Sequence, residues 1–164
     1  MLTREYQSPC GRLLLCAQGG RILMCDWMVE GRIEHTLRRI GKYHFNDEIV
    51  PEDSSLLEKA FSELDEYFAG LRREFDLPLL PLGTDFQISV MKALGNVPYG
   101  KTVSYRDMAE AVGLPRAVRA VANAVGANPL SIFIPCHRVV GSDGRLTGYA
   151  GGLEAKRYLL DLES

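Results

Sequence analysis

Cys136 and His137 stand side by side behind Pro135, inside an apolar run: Ile132, Phe133 and Ile134 precede them, and Val139 and Val140 follow Arg138. A thiolate is a strong nucleophile, and a basic neighbour favours its formation. The run reads as a buried extended segment, interrupted where the chemistry would sit. Pro135 fixes φ and removes a backbone donor, so the strand is expected to stop or turn at the cysteine. Adjacent strand side chains point to opposite faces, so the thiol and the imidazole need a turn, or a bridging water, to communicate. The same pattern suits a cysteine that is only a small core residue.

The pair sits in a chain of two unlike halves. Residues 2–27 read as strands: the apolar runs 13–15 and 22–24 are separated by Gln18-Gly19-Gly20-Arg21, a hairpin signal, and Ser8-Pro9-Cys10-Gly11 reads as an earlier turn. Residues 28–53 are polar and carry no motif; His35 and His44 read as surface residues. A helix is predicted over 55–69, with Ser55 and Glu58 as a capping box, Leu56, Leu57, Ala60, Phe61, Leu64, Tyr67 and Phe68 at helical spacing, and Gly70 as its stop. Tyr67 and Phe68 read as core. A short strand over 75–77 and a proline-rich linker over 77–83 follow.

The second half is predicted mostly helical. Thr84-x-x-Gln87 caps a helix with Phe86, Val90, Met91 and Leu94 on one face, and Pro98-Tyr99-Gly100 turns. Ser104-x-x-Asp107 starts a short helix that runs to Gly113, and Pro115 starts another through Gly126. Helix, short turn with glycine, helix is the shape of a helix-turn-helix, which serves plain packing as well as DNA reading. On the second helix Ala117, Ala120, Ala122, Ala124 and Gly126 leave little bulk around Arg119 and Asn123. Major-groove readout uses several long polar side chains, and this helix has few; it suits a narrow groove read by shape. The expected class is α/β in the α+β sense. A small hairpin-rich N-terminal domain with a helix (1–80) precedes a mainly helical C-terminal domain containing the helix-turn-helix (81–164).

A chain of 164 residues is enough for one substantial domain or two small ones. No stretch approaches the roughly 18–20 apolar residues of a membrane span, and the N-terminus lacks a basic-then-apolar signal pattern, so a cytoplasmic protein is expected. The four cysteines (Cys10, Cys16, Cys25, Cys136) form no CxxC pair and no metal-ligand spacing with His35 or His44, which predicts free thiols and no metal. The net charge of −2 is uneven: residues 1–80 hold ten Lys/Arg against fourteen Asp/Glu, and residues 81–164 nine against seven. Either this is ordinary surface variation, or a phosphate-binding face lies in the second half and relies on few contacts.

The string Pro135-Cys136-His137-Arg138-Val139-Val140 resembles the active-site signature of the O6-alkylguanine-DNA alkyltransferases, also called methylated-DNA–protein-cysteine methyltransferases. Asn128-Pro129 before it, Gly148-Tyr149-Ala150-Gly151-Gly152 after it, and Ser104-Tyr105, Arg119 and Glu163 at family spacing carry the resemblance. It is dense from Gly83 to Glu163 and loose over the N-terminal half. It implies that Cys136 attacks the alkyl carbon on O6 of guanine, that His137 takes the thiol proton through a water, and that Glu163 orients His137. Tyr105 would donate to the ring nitrogen that gains charge, and Asn128 would bridge backbone groups. Ser104, Ala117, Ala120 and Asn123 would face DNA, with Arg119 filling the gap left by an extruded base. The base must leave the stack, because a paired guanine cannot present its alkyl carbon in line to a thiol. Pro135, Val139, Tyr149, Ala150 and Gly151 would line the pocket, Ala150 standing where the family often has serine. Some relatives bind a structural zinc; no matching ligand set stands here, and no cofactor is implied. The implied partner is double-stranded DNA carrying O6-alkylguanine, met from its minor groove by a monomer and repaired once per molecule. The alternatives are a lesion sensor on the same fold with Cys136 idle, and a cysteine hydrolase.

Overall fold

Three antiparallel strands, β1 (Leu2–Ser8), β2 (Gly11–Gln18) and β3 (Arg21–Trp27), lie in sequence order in the computed structural model, which describes residues 1–43 and 54–164. Gly19 and Gly20, with φ of 61° and 75°, make the tight β2–β3 turn, a geometry that favours glycine at both positions. The β3 strand is buried on both faces. Leu13, Leu15, Cys25 and Trp27 belong to the main core together with α2 (Ser55–Phe68), while Cys16, Leu23 and Met24 pack with Ile40 in a smaller cluster beside α1 (Arg32–Gly41).

Helix α1 lies where the sequence showed no motif. Its apolar stripe is only Ile33, Leu37 and Ile40, spaced for one helical face but diluted by charged neighbours. His35 is exposed; His44 lies outside the described residues. Helix α2 begins one residue after Ser54, its N-cap, and no side-chain cap bond closes there, so the expected Ser55–Glu58 box is not what starts it. Gly70 stops it at φ 76°, with Gly70 N–H on Tyr67 O and Leu71 N–H on Glu66 O.

The expected strand over 75–77 does not form. Prolines at 78 and 81 leave too few donors for a ladder, and the segment instead makes a single parallel bridge between Leu79 and Ile22 on the outer edge of β3. Further along the same edge, Cys25 bridges Leu130: Cys25 N–H donates to Pro129 O at 2.9 Å, and Ser131 N–H to Cys25 O at 2.8 Å. The segment leading to Cys136 is thus docked on the N-terminal sheet.

In the second half, α3 (Asp85–Gly95) and α4 (Tyr105–Ala111) begin in complete capping boxes, Thr84 with Gln87 and Ser104 with Asp107. Helix α5 runs Val118–Gly126 and does not start at Pro115. Gly113 (φ 76°) closes α4, and Ala117 N–H bonds Leu114 O across a proline turn, so the helix-turn-helix has a longer turn than the sequence suggested. Two short strands absent from the sequence reading, β4 (Val103–Ser104) and β5 (Val139–Val140), pair in parallel and tie the start of α4 to the segment after Cys136. Helix α6 (Leu153–Leu162) completes the chain. Among the described residues no helix is long and apolar enough to cross a membrane, and no group of three or more His, Cys, Asp or Glu could hold a metal ion. All four cysteines are free.

Candidate active site

The segment before the cysteine is buried but not a strand; two tight turns replace the expected extended run. Ile132 has φ 71°, the only positive value outside glycine among the described residues, with Phe133 N–H closing on Ser131 O at 2.9 Å. A β-branched residue is strained in that region, and the surroundings must hold it there. At Pro135 (φ −81°, ψ 65°) Cys136 N–H closes on Ile134 O at 2.8 Å, an inverse γ-turn. Cys136–Arg138 then form one 3-10 turn. Asn128, 1% exposed, serves the groups these turns leave over: Nδ2 donates to Ile134 O at 2.9 Å, and Oδ1 accepts from Leu130 N–H at 3.0 Å.

Behind the cysteine lies a buried charge network. Glu163, at the C-cap of α6, accepts from His137 Nε2 at 2.8 Å, from Arg138 Nε at 2.8 Å and Nη2 at 3.0 Å, and from the Tyr67 hydroxyl at 2.6 Å. Arg138 Nη1 donates to Val97 O at 2.7 Å. Burial works to raise the Glu163 pKa, but the bonds from His137 and Arg138 outweigh it and hold it at about 2. An ionised carboxylate only accepts, so His137 Nε2 carries the proton and Nδ1 is the basic nitrogen. Nδ1 is buried and makes no hydrogen bond among the described residues. Burial, ahead of the opposing pull of Glu163, lowers the His137 pKa and keeps the ring neutral near pH 7. Burial also raises the Cys136 pKa above its usual 9.0, against a hydrogen bond from Asn128. At rest the sulfur is a thiol with a neutral imidazole beside it in the chain.

Cys136 is 5% exposed, and the surface it shows lines a cavity of about 470 Å³. Tyr105 from α4, Asn123 from α5, and Tyr149 and Ala150 from the loop before α6 share that wall, as does Arg32 from α1. Thr147 donates its hydroxyl to the Tyr105 oxygen at 3.3 Å, and the fully buried Lys156 donates to Thr147 O at 2.9 Å. Of the other expected pocket residues, Pro135 faces a separate cavity, Val139 is fully buried opposite Val103, and Gly151 lies behind the wall against Trp27. Arg119, Ala120 and Asn123 are exposed on α5, and Ala117 is half-buried at its N-cap. The Ser104 hydroxyl accepts from Asp107 N–H as the cap of α4.

Several working side chains escaped the sequence reading. Tyr67 is core as expected, yet its hydroxyl reaches the site across the molecule. Arg32 bonds the carbonyls of Gly126 and Asn128, and Arg39 that of Ala127, capping the negative end of α5. Asp26, fully buried, holds Arg32 at 2.8 Å and Thr36 at 2.9 Å. A carboxylate in an apolar strand demands such partners and was the available signal.

The family of 6-O-methylguanine DNA methyltransferase DNA binding domains matches residues 85–164, and that of the ribonuclease-like domains of the same proteins matches residues 1–81. The methylated-DNA–protein-cysteine methyltransferase of Methanosarcina acetivorans is 48% identical over 158 residues, 96% of this chain and 95% of its own. That of Haemophilus influenzae is 42% identical over 159 residues, 96% and 83% of the two chains. A crystal structure of Mycobacterium tuberculosis OGT in complex with DNA superposes with a TM-score of 0.80 at 40% identity, covering 98% of this chain and 91% of that one. Matched in both halves and along nearly its whole length, this chain belongs to the methylated-DNA–protein-cysteine methyltransferase family.

Proposed function

We propose that this chain repairs double-stranded DNA by moving an alkyl group from O6 of guanine to Cys136, once per molecule. The observation that carries this reading is a thiol on the wall of a cavity beside α5, backed by a neutral His137 whose Nε2 is held by an ionised Glu163. The names of the relatives, and the solved relative in complex with DNA, agree with it.

In the proposed step the Cys136 Sγ–carbon bond forms as the carbon–O6 bond breaks. The thiol proton passes through a water to His137 Nδ1, and Glu163 stabilises the imidazolium. Negative charge moves onto the departing base, and the Tyr105 hydroxyl meets it with a proton donor at the ring nitrogen. Asn128 keeps the cysteine turn fixed relative to α5. The small surface of Ala117, Ala120 and Asn123 approaches the minor groove closely, Ser104 at the N-cap of α4 also meets DNA, and Arg119 occupies the space the extruded base leaves. Arg106 and Arg116, both exposed, add phosphate contacts. A thioether has no ready leaving path, so the molecule is spent after one transfer. It works as a monomer without a cofactor, and its four free thiols suit the cytoplasm.

The test compares thiol consumption by duplex O6-methylguanine DNA and by free O6-benzylguanine. Cys136→Ser should bind DNA and transfer nothing. Arg119→Ala should slow transfer from duplex DNA far more than from the free base. Equal slowing on both substrates would remove the extrusion role, and alkylation of Cys136→Ser would remove the nucleophile.

A further inference from the structure

Trp27 ends β3 and is 2% exposed. It does not line the cavity; it stands behind the wall. Its indole N–H donates to the Tyr149 hydroxyl at 3.1 Å, and the two rings meet edge to face, centroids 5.9 Å apart at 71°. A Cβ placed on Gly151 would lie 2.6 Å from two indole carbons, so the ring is pressed against that backbone. At the benzo end, a Cβ on Gly11 would come within 3.0 Å. The indole therefore fits because residues 11 and 151 are both glycine, and it fixes the Tyr149–Gly151 stretch from behind.

We propose that Trp27 sets how large an alkyl group this chain accepts, as the rigid backing of the cavity wall formed by Tyr149 and Ala150. The inference rests on the transfer reaction proposed above. Cys136, Tyr149 and Ala150 line the same cavity, so an alkyl group presented to the sulfur has to fit against that wall. The loop carrying the wall is rich in glycine and would give way by itself. A large ring that is buried, hydrogen-bonded and flush with the backbone stops it from retreating. Trp27 touches no substrate; it is a specificity-determining residue that acts through Tyr149 and Gly151.

The experiment measures alkylation rates with O6-methylguanine and O6-benzylguanine placed in the same duplex. It compares wild type, Trp27→Leu, Trp27→Phe, Gly151→Ala, and Gly151→Ala combined with Trp27→Leu. Trp27→Leu should raise the benzyl-to-methyl rate ratio by about tenfold, the low end of what one methylene of pocket space discriminates. Trp27→Phe, which keeps a ring and loses the N–H, should shift it in the same direction by less. Gly151→Ala pushes the wall forward and should lower the ratio, and adding Trp27→Leu should restore it. Should Trp27→Leu fail to fold, Gly151→Ala with Trp27→Phe makes the same rescue comparison. Rates that fall together at an unchanged ratio would overturn the inference and leave the transfer reaction standing, as would a double variant no better than Gly151→Ala alone. A wild type alkylated by neither substrate would overturn both.

Discussion

Burial raises the Cys136 pKa above its usual 9.0 and lowers that of His137 below its usual 6.5. A resting ion pair of thiolate and imidazolium is therefore disfavoured from both sides, and the proton must move when the lesion arrives. The pH dependence follows with a definite sign. A base whose pKa is lowered stays neutral as pH falls through 6.5, so the alkylation rate of the wild type should hold there and decline only at lower pH. His137→Gln should slow alkylation at pH 7 by about 10²–10⁴-fold, the usual worth of a positioned base. Its rate should then climb with pH toward and beyond 9, where the thiol ionises unaided. Single-turnover alkylation rates across pH check this; a variant with the wild-type profile would show that His137 takes no proton. At this scale Cys136 and His137 stood out by their own types behind Pro135, which announces a turn, while Asn128 was singled out mainly by the family resemblance. The sequence was not legible for Tyr67, Trp27 or Arg32, whose hydrogen bonds into the site span 94 to 122 positions of the chain; the one local sign was Asp26, a carboxylate in an apolar strand that Arg32 pairs with.

Elements are held together at one carboxylate. Glu163 joins the end of α6 to α2 through Tyr67 and to the cysteine turn through His137 and Arg138. Its folded pKa of about 2 is depressed from 4.5, so its stabilisation is present above 4.5 and is lost as pH falls from 4.5 toward 2. Glu163→Gln leaves the buried Arg138 guanidinium uncompensated and should cost about 3–5 kcal/mol at pH 7. The variant should also lose less further stability than the wild type on acidification. Denaturant unfolding at pH 7 and pH 3 measures both; an unchanged midpoint at pH 7 would mean the network holds nothing. The hairpin and the Thr84 and Ser104 capping boxes were readable because their signals are local. Helix α1 was not, since three apolar residues among charges give a weak periodicity. The pair β4 and β5 was too short to register, and Pro115 marked a turn where a helix start was expected.

Across the whole molecule, the N-terminal half is part of the site's construction. The outer edge of β3 receives the segment that leads to Cys136, Trp27 backs the cavity wall, and Arg32 and Arg39 cap α5. Composition suggested two halves of opposite charge balance, and it carried no sign of this docking, because a sheet edge is completed by residues more than a hundred positions away. A chain so built around one thiol, with no route for breaking a thioether, should be spent by its own reaction. The most direct measurement is the intact mass, with peptide mapping, after incubation with excess O6-methylguanine duplex. One added methyl group per molecule, on the peptide carrying Cys136 and matched by one guanine restored, is the predicted result. Restoration of many guanines per molecule, or a methyl group on any other residue, would contradict the account.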